Sequence, residues 1–317
     1  MAGWYFTLFL YFLRPPFGEN KTGCGHMIIS ASRRTDIPAF YSRWFINRIR
    51  EGFCTVPNPF NPGQISNVSL SVENVDVIVF WTRNPGPIIP HLTELRQRGY
   101  RYYFLYTLMN NPKLLDPKSP SVKHSLNIFK KLSDLIGPEK IIWRYDPVIL
   151  SNITDIDFHK KTYENIAESL CGYTLRCIIS FAEIYRKIKG RLNILSDKGL
   201  LLNGYDDNIF DLSAFLAQTA SKYNIKIQSC ALKKYLGKFG ILPGKCIDDD
   251  YIEKVFRLKL DLKKDPFQRK ECGCVASKDI GMYNSCLYQC QYCYATGSFE
   301  KAGINYRNHN PCSPSLL

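Results

Sequence analysis

Three cysteines lie within eight residues of one another in the segment Cys286-Leu-Tyr-Gln-Cys290-Gln-Tyr-Cys293, here called the triplet. A tight loop with this spacing can turn all three sulfurs toward one centre, and clustered thiols in a reducing compartment are typical of metal ligands. Two centres fit. A structural zinc takes four protein ligands, usually from paired C-x2-C units, and this segment holds only one such pair. A 4Fe-4S cluster has four irons, so three thiolates leave one iron open to a small molecule, and this is the stronger hypothesis.

Four further cysteines are candidates for a second metal site. Two of them form Cys272-Gly-Cys274, shortly before the triplet. They could form a fully ligated iron-sulfur or zinc site with a thiol at a strand end and one in a loop, although those two could also be a buried apolar side chain and a free loop thiol. These four, here called the quartet, are Cys230, Cys246, Cys272 and Cys274. The cysteines interpreted as non-ligands are Cys24, Cys54, Cys171, Cys177 and Cys312.

The elements that must position these thiols follow an alternating pattern from residue 27 onward. Short β-branched segments alternate with helical periodicity, which is typical of βα units and a parallel sheet. We predict an α/β fold, a partial or complete TIM-type (βα) barrel, with a doubly wound open sheet as the alternative. The predicted strands are residues 28–30, 75–81, 102–106, 141–145, 174–181, 225–229 and 279–283.

Helix boundaries are predicted from capping residues and glycines. Apolar residues repeat at helical spacing from a predicted N-cap at Asp36 to Gly52, and residues 54–74 are predicted to be a loop with a small hairpin. Further helices are predicted to end at Gly99, Gly137 and Gly172, and another to cross residues 207–223.

Polar side chains follow several of the predicted strands. In parallel βα barrels, chemistry gathers at the carboxyl ends of the strands. Arginines there could bind carboxylates or phosphates bidentately, and the aspartates could bind a ribose, an amine or one of those arginines. A structural role is the alternative for each residue alone, such as a helix cap or an ion pair. The candidate cofactor-binding residues are Arg33, Arg34, Asp36, Arg83, Arg144 and Asp146.

The triplet, with Tyr292 directly before its third cysteine, resembles the cluster loop of the radical S-adenosylmethionine (radical SAM) superfamily. In that superfamily the open iron binds SAM, whose reductive cleavage gives a 5'-deoxyadenosyl radical that abstracts hydrogen from a substrate. The resemblance therefore implies a 4Fe-4S cluster, SAM and an external electron donor. The motif normally lies near the N-terminus, whereas here it follows the last predicted strand. We hypothesise a circular permutation in which residues 279–283 pair beside residues 28–30.

A closer resemblance covers nearly everything after Met27. It is carried by Ile28-Ile-Ser-Ala-Ser-Arg-Arg-Thr-Asp-Ile-Pro-Ala-Phe-Tyr41, Val77-Ile-Val-Phe-Trp-Thr-Arg-Asn-Pro85, Ile142-Trp-Arg-Tyr-Asp-Pro147 and the cysteines from Cys272 to Cys293. These segments resemble domain of unknown function family 1848 (DUF1848). That family is regarded as radical-SAM-like from its terminal cysteines and has no established substrate, so the resemblance implies a cofactor class and leaves the reaction open.

The composition fits one large domain, which we place at residues 27–317 with its cluster loop at 272–295. The chain has 317 residues, of which 45% are hydrophobic, and this is enough for a core of barrel size. Lys plus Arg exceed Asp plus Glu by 42 − 28 = 14, which favours anionic partners. The sequence shows no zinc-finger, RRM or helix-turn-helix pattern, so nucleic acid is open as a partner but not indicated by a motif.

Two functions remain at this point. The first is a radical-SAM-like enzyme acting on an unknown small-molecule or anionic substrate. The second is a regulatory or nucleic-acid-binding protein whose cysteines hold zinc or a redox-sensing cluster.

Residues 1–26 are expected to be an extension ahead of a functional start at Met27. Their apolar part is too short to span a bilayer and lacks signal-peptide features, so we expect no membrane association and a cytoplasmic location.

Overall fold

The structure is a computed structural model that describes residues 27–202 and 208–317. The proposed extension at residues 1–26 and Cys24 lie outside the described residues, and so does the start of the helix predicted at residue 207. The strands of the described part are β1 (Ile28–Ala31), β2 (Phe53–Asn58), β3 (Asn61–Ser69), β4 (Val77–Thr82), β5 (Tyr102–Thr107), β6 (Ile141–Val148), β7 (Arg176–Phe181), β8 (Lys226–Ser229), β9 (Leu242–Pro243) and β10 (Lys278–Asp279).

The helices lie mainly in the connections between these strands. Those of the described part are α1 (Ile37–Phe40), α2 (Ser42–Glu51), α3 (Leu92–Gln97), α4 (Val122–Ile136), α5 (Ile156–Ser169), α6 (Lys189–Asp197), α7 (Asn208–Lys222), α8 (Asp249–Phe256) and α9 (Phe299–Arg307). Short 3-10 turns occupy Gly86–His91, Pro138–Lys140, Arg186–Ile188 and Gly237–Phe239. Within the described ranges, no helix combines the length and the apolar character needed to cross a bilayer.

The strands form a parallel sheet, which confirms the predicted α/β class. Within the described residues this sheet has eight strands in the order β10-β1-β4-β5-β6-β7-β8-β9, and β2 pairs with β3 in a separate antiparallel hairpin. The sheet has two edges, β9 and β10, and is not closed into a barrel by strand pairing. The predicted strands and the predicted hairpin are therefore present, while strand pairing among the described residues leaves the predicted barrel open.

The last strand lies where the sequence placed it. β10 pairs in parallel with β1, with Ile29 opposite Lys278. It has two residues and is shorter than predicted. The Asp279 carboxylate accepts hydrogen bonds from the hydroxyls of Ser30 and Ser32 at 2.8 and 2.6 Å and from the backbone N–H of Arg33 at 2.8 Å. The chain then turns away from the sheet and enters the triplet.

The glycine-based helix ends are confirmed, and one predicted helix is divided. Gly99, Gly137 and Gly172 have φ angles of 89°, 95° and 81°, a region that glycine adopts without a Cβ clash. The helix predicted after Asp36 is interrupted at Tyr41, whose φ of −131° ends α1 and precedes α2.

Both faces of the sheet are buried, as is usual for parallel sheets. In β4, Ile78 and Phe80 pack with the core beneath the helices, whereas Val77 and Val79 point to the opposite face. That opposite face is covered by the segment 246–275, which includes α8 and three thiols of the quartet. The triplet and the quartet therefore lie in segments that follow or flank the strands rather than on the helical side.

Candidate functional site

The loop that carries the triplet is closed at its base by Asn284. Its backbone N–H donates to the carbonyl of Ala295 at 3.0 Å, and its side-chain oxygen accepts the N–H groups of Gly297 and Ser298 at 2.7 and 3.1 Å. Asn284 has a φ of 54°, a conformation that asparagine tolerates better than most residues. The two ends of the loop are thus held together, and the three cysteines lie between them.

The thiols of the triplet face one another inside this loop. Cys290 is buried, Cys286 and Cys293 are half-buried, and all three interact electrostatically. Loss of hydration raises the pKa of Cys286 to about 12 and raises the pKa of Cys290 as well. The backbone N–H groups of Tyr288 and Asp36 donate to the Cys286 sulfur, which favours its thiolate form. Such N–H···S bonds are among the contacts that tune iron-sulfur clusters.

Asp36 has the predicted capping role and a second one. One carboxylate oxygen accepts the N–H of Ala39 at 2.9 Å as the N-cap of α1, and the other accepts the N–H of Arg83 at 2.6 Å. Burial raises the pKa of Asp36 to about 7, opposed by these hydrogen bonds. This carboxyl group joins the loops after β1 and β4 directly beside Cys286.

Arg83 is held beside the triplet by a buried polar network. Its guanidinium lies 3.2 Å from the Asp116 carboxylate and donates to the Tyr292 hydroxyl at 2.5 Å, and that hydroxyl donates in turn to Asp116 at 2.8 Å. Arg83 also interacts electrostatically with Cys290. The tyrosine that precedes the third cysteine is therefore fixed by an ion pair that comes from the loops after β4 and β5.

The quartet is brought together although its members are far apart in the chain. Cys230 interacts with Cys246 and Cys272, and Cys274 interacts with Cys246 and Cys272, so each thiol of the quartet has at least two others as neighbours. The Cys230 and Cys246 sulfurs are 3.4 Å apart. Bonds from Cys246 and Cys272 lower the pKa of Cys274, and Arg33 lowers it further. The described cysteines are all free thiols, so no disulfide competes with this arrangement in the described part of the chain.

Two arginines and an indole lie against the quartet. The guanidinium groups of Arg33 and Arg144 lie 5.2 and 4.8 Å from the ring of Trp81. Arg33 interacts with Cys274 and Cys246, and Arg144 interacts with Cys246. Arg144 also forms an ion pair with Asp146. The Arg144–Asp146 ion pair is thus present, and its arginine is close enough to the quartet to interact with it electrostatically.

The six candidate residues lie along the carboxyl ends of the strands but divide into groups. Asp36 and Arg83 border the triplet, while Arg33, Arg144 and Asp146 lie on the side of the quartet. Arg34 contacts the segment that leads into the triplet: it donates to the carbonyl of Gly281 at 3.2 Å and lies over the ring of Tyr283 at 5.4 Å.

Sequence patterns did not single out Arg191 of α6. Its guanidinium donates to the Cys293 carbonyl at 2.5 Å and lies 4.7 Å from the ring of Phe299. Its Nε and Nη1 atoms are buried and have no hydrogen-bond partner in the described residues. The only sequence signal was a short run of basic residues, which is also typical of a solvated surface.

The spacing of potential ligand atoms limits what each thiol set can hold. Among residues 27–202 and 208–317, only Asp248, Asp249 and Asp250 form a group of three or more His, Cys, Asp or Glu ligands within 4.8 Å of one another. All three already pair with cations: Asp248 with Arg176 at 2.8 Å, and Asp249 and Asp250 with Lys245 at 2.6 and 3.0 Å. The triplet, and any three of the quartet, are spread more widely than this.

A cavity of about 420 Å³ lies near the amino ends of the strands and does not include the thiols. Its lining includes Tyr102, at the start of β5, and Lys140, directly before β6. It is therefore an amino-end pocket. The clustered thiols and the ion pairs Arg83–Asp116 and Arg144–Asp146, by contrast, lie toward the carboxyl ends of the strands, where parallel α/β folds place their ligands.

The comparisons with known proteins bear on the family alone. No curated protein and no solved structure matches the chain. A family model described as domain of unknown function (DUF1848) matches residues 28–295, a range that contains the sheet and both thiol sets. Because this match spans far more than half of the 317 residues, the chain belongs to the DUF1848 family.

Proposed function

We propose that the protein is a radical-SAM-like iron-sulfur enzyme whose triplet holds a 4Fe-4S cluster with one open iron. The observation that carries this proposal is the separation of the two thiol sets. Cys272 and Cys274, the nearest thiols upstream, interact with Cys230 and Cys246. They are engaged in the quartet, which leaves the triplet with three thiolates for four irons.

The width of the triplet supports a cluster over a single ion. A tetrahedral zinc with Zn–S bonds of about 2.3 Å holds its sulfurs about 3.8 Å apart. The three sulfurs of the triplet do not all lie within 4.8 Å of one another in the described structure. A four-iron cluster needs this wider separation because each thiolate binds a different iron.

When bound, such a cluster would supply an electron, taken from an external donor, for the reductive cleavage of SAM and hydrogen abstraction from a substrate. The residues around the triplet would prepare the site. The N–H groups of Asp36 and Tyr288 stabilise the Cys286 thiolate. Arg83 places a buried positive charge beside Cys290. The unpaired Nε and Nη1 atoms of Arg191 are donors for an anionic group of a ligand, such as a carboxylate.

The substrate would lie over the strand ends between the two thiol sets. Tyr294 follows the triplet directly, donates to the carbonyl of Arg33 at 3.4 Å and interacts electrostatically with Arg144. Asp146 accepts hydrogen bonds from Arg144 and Ser180. These groups suit a small polar or anionic molecule. In this proposal the sheet is a partial barrel in permuted order, since the strand that leads to the triplet is the last in the chain but pairs with the first.

Anaerobic purification followed by EPR of the dithionite-reduced protein tests the proposal. Addition of SAM is expected to change the cluster signal and to yield 5'-deoxyadenosine. Cys290→Ser should abolish both effects. Cys312→Ser, which changes an exposed thiol outside both sets, should leave them intact. Zinc without iron in the wild type, or a spectrum insensitive to SAM, would instead support the metal-binding regulatory protein.

A further inference from the structure

We infer that the quartet holds a second metal centre, a zinc ion or an iron-sulfur cluster bound by four thiolates of the protein, which fastens the two edges of the sheet together. The inference concerns a site other than the triplet and does not depend on SAM chemistry.

The quartet draws its ligands from both edges of the sheet. Cys230 directly follows β8 and Cys246 follows the edge strand β9, whereas Cys272 and Cys274 precede the other edge strand, β10. The two segments also touch through the backbone: the N–H of Val275 donates to the carbonyl of Ile247 at 3.1 Å. A centre at this position would complete the ring of strands that β pairing leaves open.

The surroundings of the quartet call for a charged group. Cys246, Cys272 and Cys274 are buried in an apolar cluster, where neutral thiols would need no counter-ion. Yet Arg33 and Arg144, which also interact with the carboxylates of Asp279 and Asp146, both place positive charge beside these thiols. Arg33 Nη2 and Arg144 Nε are buried and have no hydrogen-bond partner among the described residues. A metal centre with four thiolate ligands is anionic and would be stabilised by both arginines.

The four thiols are close enough to serve one metal centre. Four thiolates around one zinc would place every pair of sulfurs about 3.8 Å apart. The Cys230 and Cys246 sulfurs lie 3.4 Å apart, near this spacing, whereas a four-iron cluster would hold them further apart because each thiolate binds a different iron. The N–H of Ile247 additionally donates to the Cys274 sulfur at 3.4 Å, a contact typical of metal-bound thiolates.

Counting of iron, sulfide and zinc on the full-length protein, purified anaerobically, tests this inference. We expect that Cys290→Ser still binds about four irons or one zinc per chain at the quartet. Cys246→Ser should lose this metal. Cys54→Ser removes another buried thiol, one that lies in the hairpin, and should leave the iron content unchanged.

The outcomes separate this inference from the proposed function. The same metal content in Cys246→Ser and wild type, or a Cys230–Cys246 disulfide in metal-free protein, would overturn the second centre. Loss of the SAM effect in the wild type would overturn only the proposed function. Should Cys246→Ser fail to fold, the metal content of Cys290→Ser decides the question: about four irons or one zinc per chain supports the inference, and metal-free protein refutes it.

Discussion

The Asp36 carboxylate accepts the backbone N–H of Arg83 at 2.6 Å, across 47 residues of sequence. This hydrogen bond joins the loops after two neighbouring strands, β1 and β4, at the point where both meet Cys286. Asp36, predicted as a helix cap and as a candidate cofactor-binding residue, therefore also sets the position of Arg83 beside the triplet.

Asp36→Ala should destabilise the protein more than the loss of a cap alone. It removes the cap of α1 and leaves the buried Arg83 N–H without a partner, for a combined cost of about 2–4 kcal/mol. Anaerobic urea unfolding measures this difference. Ser121→Ala, which removes the exposed cap of α4, is the matched control and should cost about 1 kcal/mol. Equal losses of unfolding free energy in the two variants would show that the hydrogen bond to Arg83 contributes nothing to stability.

Asp116→Ala should lower the free energy of unfolding by about 3–5 kcal/mol because it leaves the buried charge of Arg83 without its counter-ion. The double variant Arg83→Met/Asp116→Leu removes both charges and should recover most of this loss. Thermal and urea unfolding of the single and double variants give the coupling energy. A double variant as unstable as Asp116→Ala would contradict the assignment of the cost to an unpaired charge.

Arg191→Gln should raise the SAM concentration needed for half of the EPR change by roughly tenfold or more, because it removes charge-assisted donors beside Cys293. An EPR titration with SAM measures the shift. Lys189→Gln makes the same loss of charge at an exposed position of α6 and should leave the titration unchanged. An equal shift in both variants would attribute the effect to net charge.

His159 should make the protein less stable in acid. Its Nε2 donates to the Ile149 carbonyl at 2.9 Å while its Nδ1 accepts from the Tyr145 hydroxyl at 2.7 Å, an arrangement that requires the neutral ring. Burial lowers the pKa of His159 below 6.5, although Asp155 raises it slightly. The unfolded chain therefore binds the proton first, so the stabilisation is complete above about pH 6.5 and is lost as the pH falls toward the folded pKa.

Melting temperatures between pH 7.5 and 5 measure this effect. Wild type should lose stability more steeply over this range than His159→Gln, whose side chain does not titrate. Parallel curves for the two proteins would exclude His159 as the source.

Phe80 anchors the core on the helical face of the sheet. It is fully buried, and its ring lies 4.8 Å from that of Phe104 and 5.2 Å from that of Phe45. Phe80→Ala should cost about 3–5 kcal/mol through lost contacts and a cavity. Phe60→Ala is the control, because Phe60 is 91% exposed, and it should change the free energy of unfolding by less than about 0.5 kcal/mol. Similar losses for both would contradict the assigned core.

The sequence by itself determined those features that depend on short stretches of chain. Runs of β-branched residues located the main strands, and Gly99, Gly137 and Gly172 located the helix ends, because these signals act through local backbone preferences. The spacing of the triplet within eight residues identified a candidate ligand set, and the same local motifs supported the family assignment.

Only the tertiary structure decided which distant groups meet. β9 has just two residues and shows no periodicity that a sequence pattern could detect. Cys230 and Cys246 are 16 residues apart, a separation compatible with many arrangements, and their contact depends on the pairing of β8 with β9. Arg191 is one of many basic residues until the fold places it at Cys293. Local propensity fixes the elements, but the convergence of side chains on a site follows from strand order and long-range packing, which no short window of sequence contains.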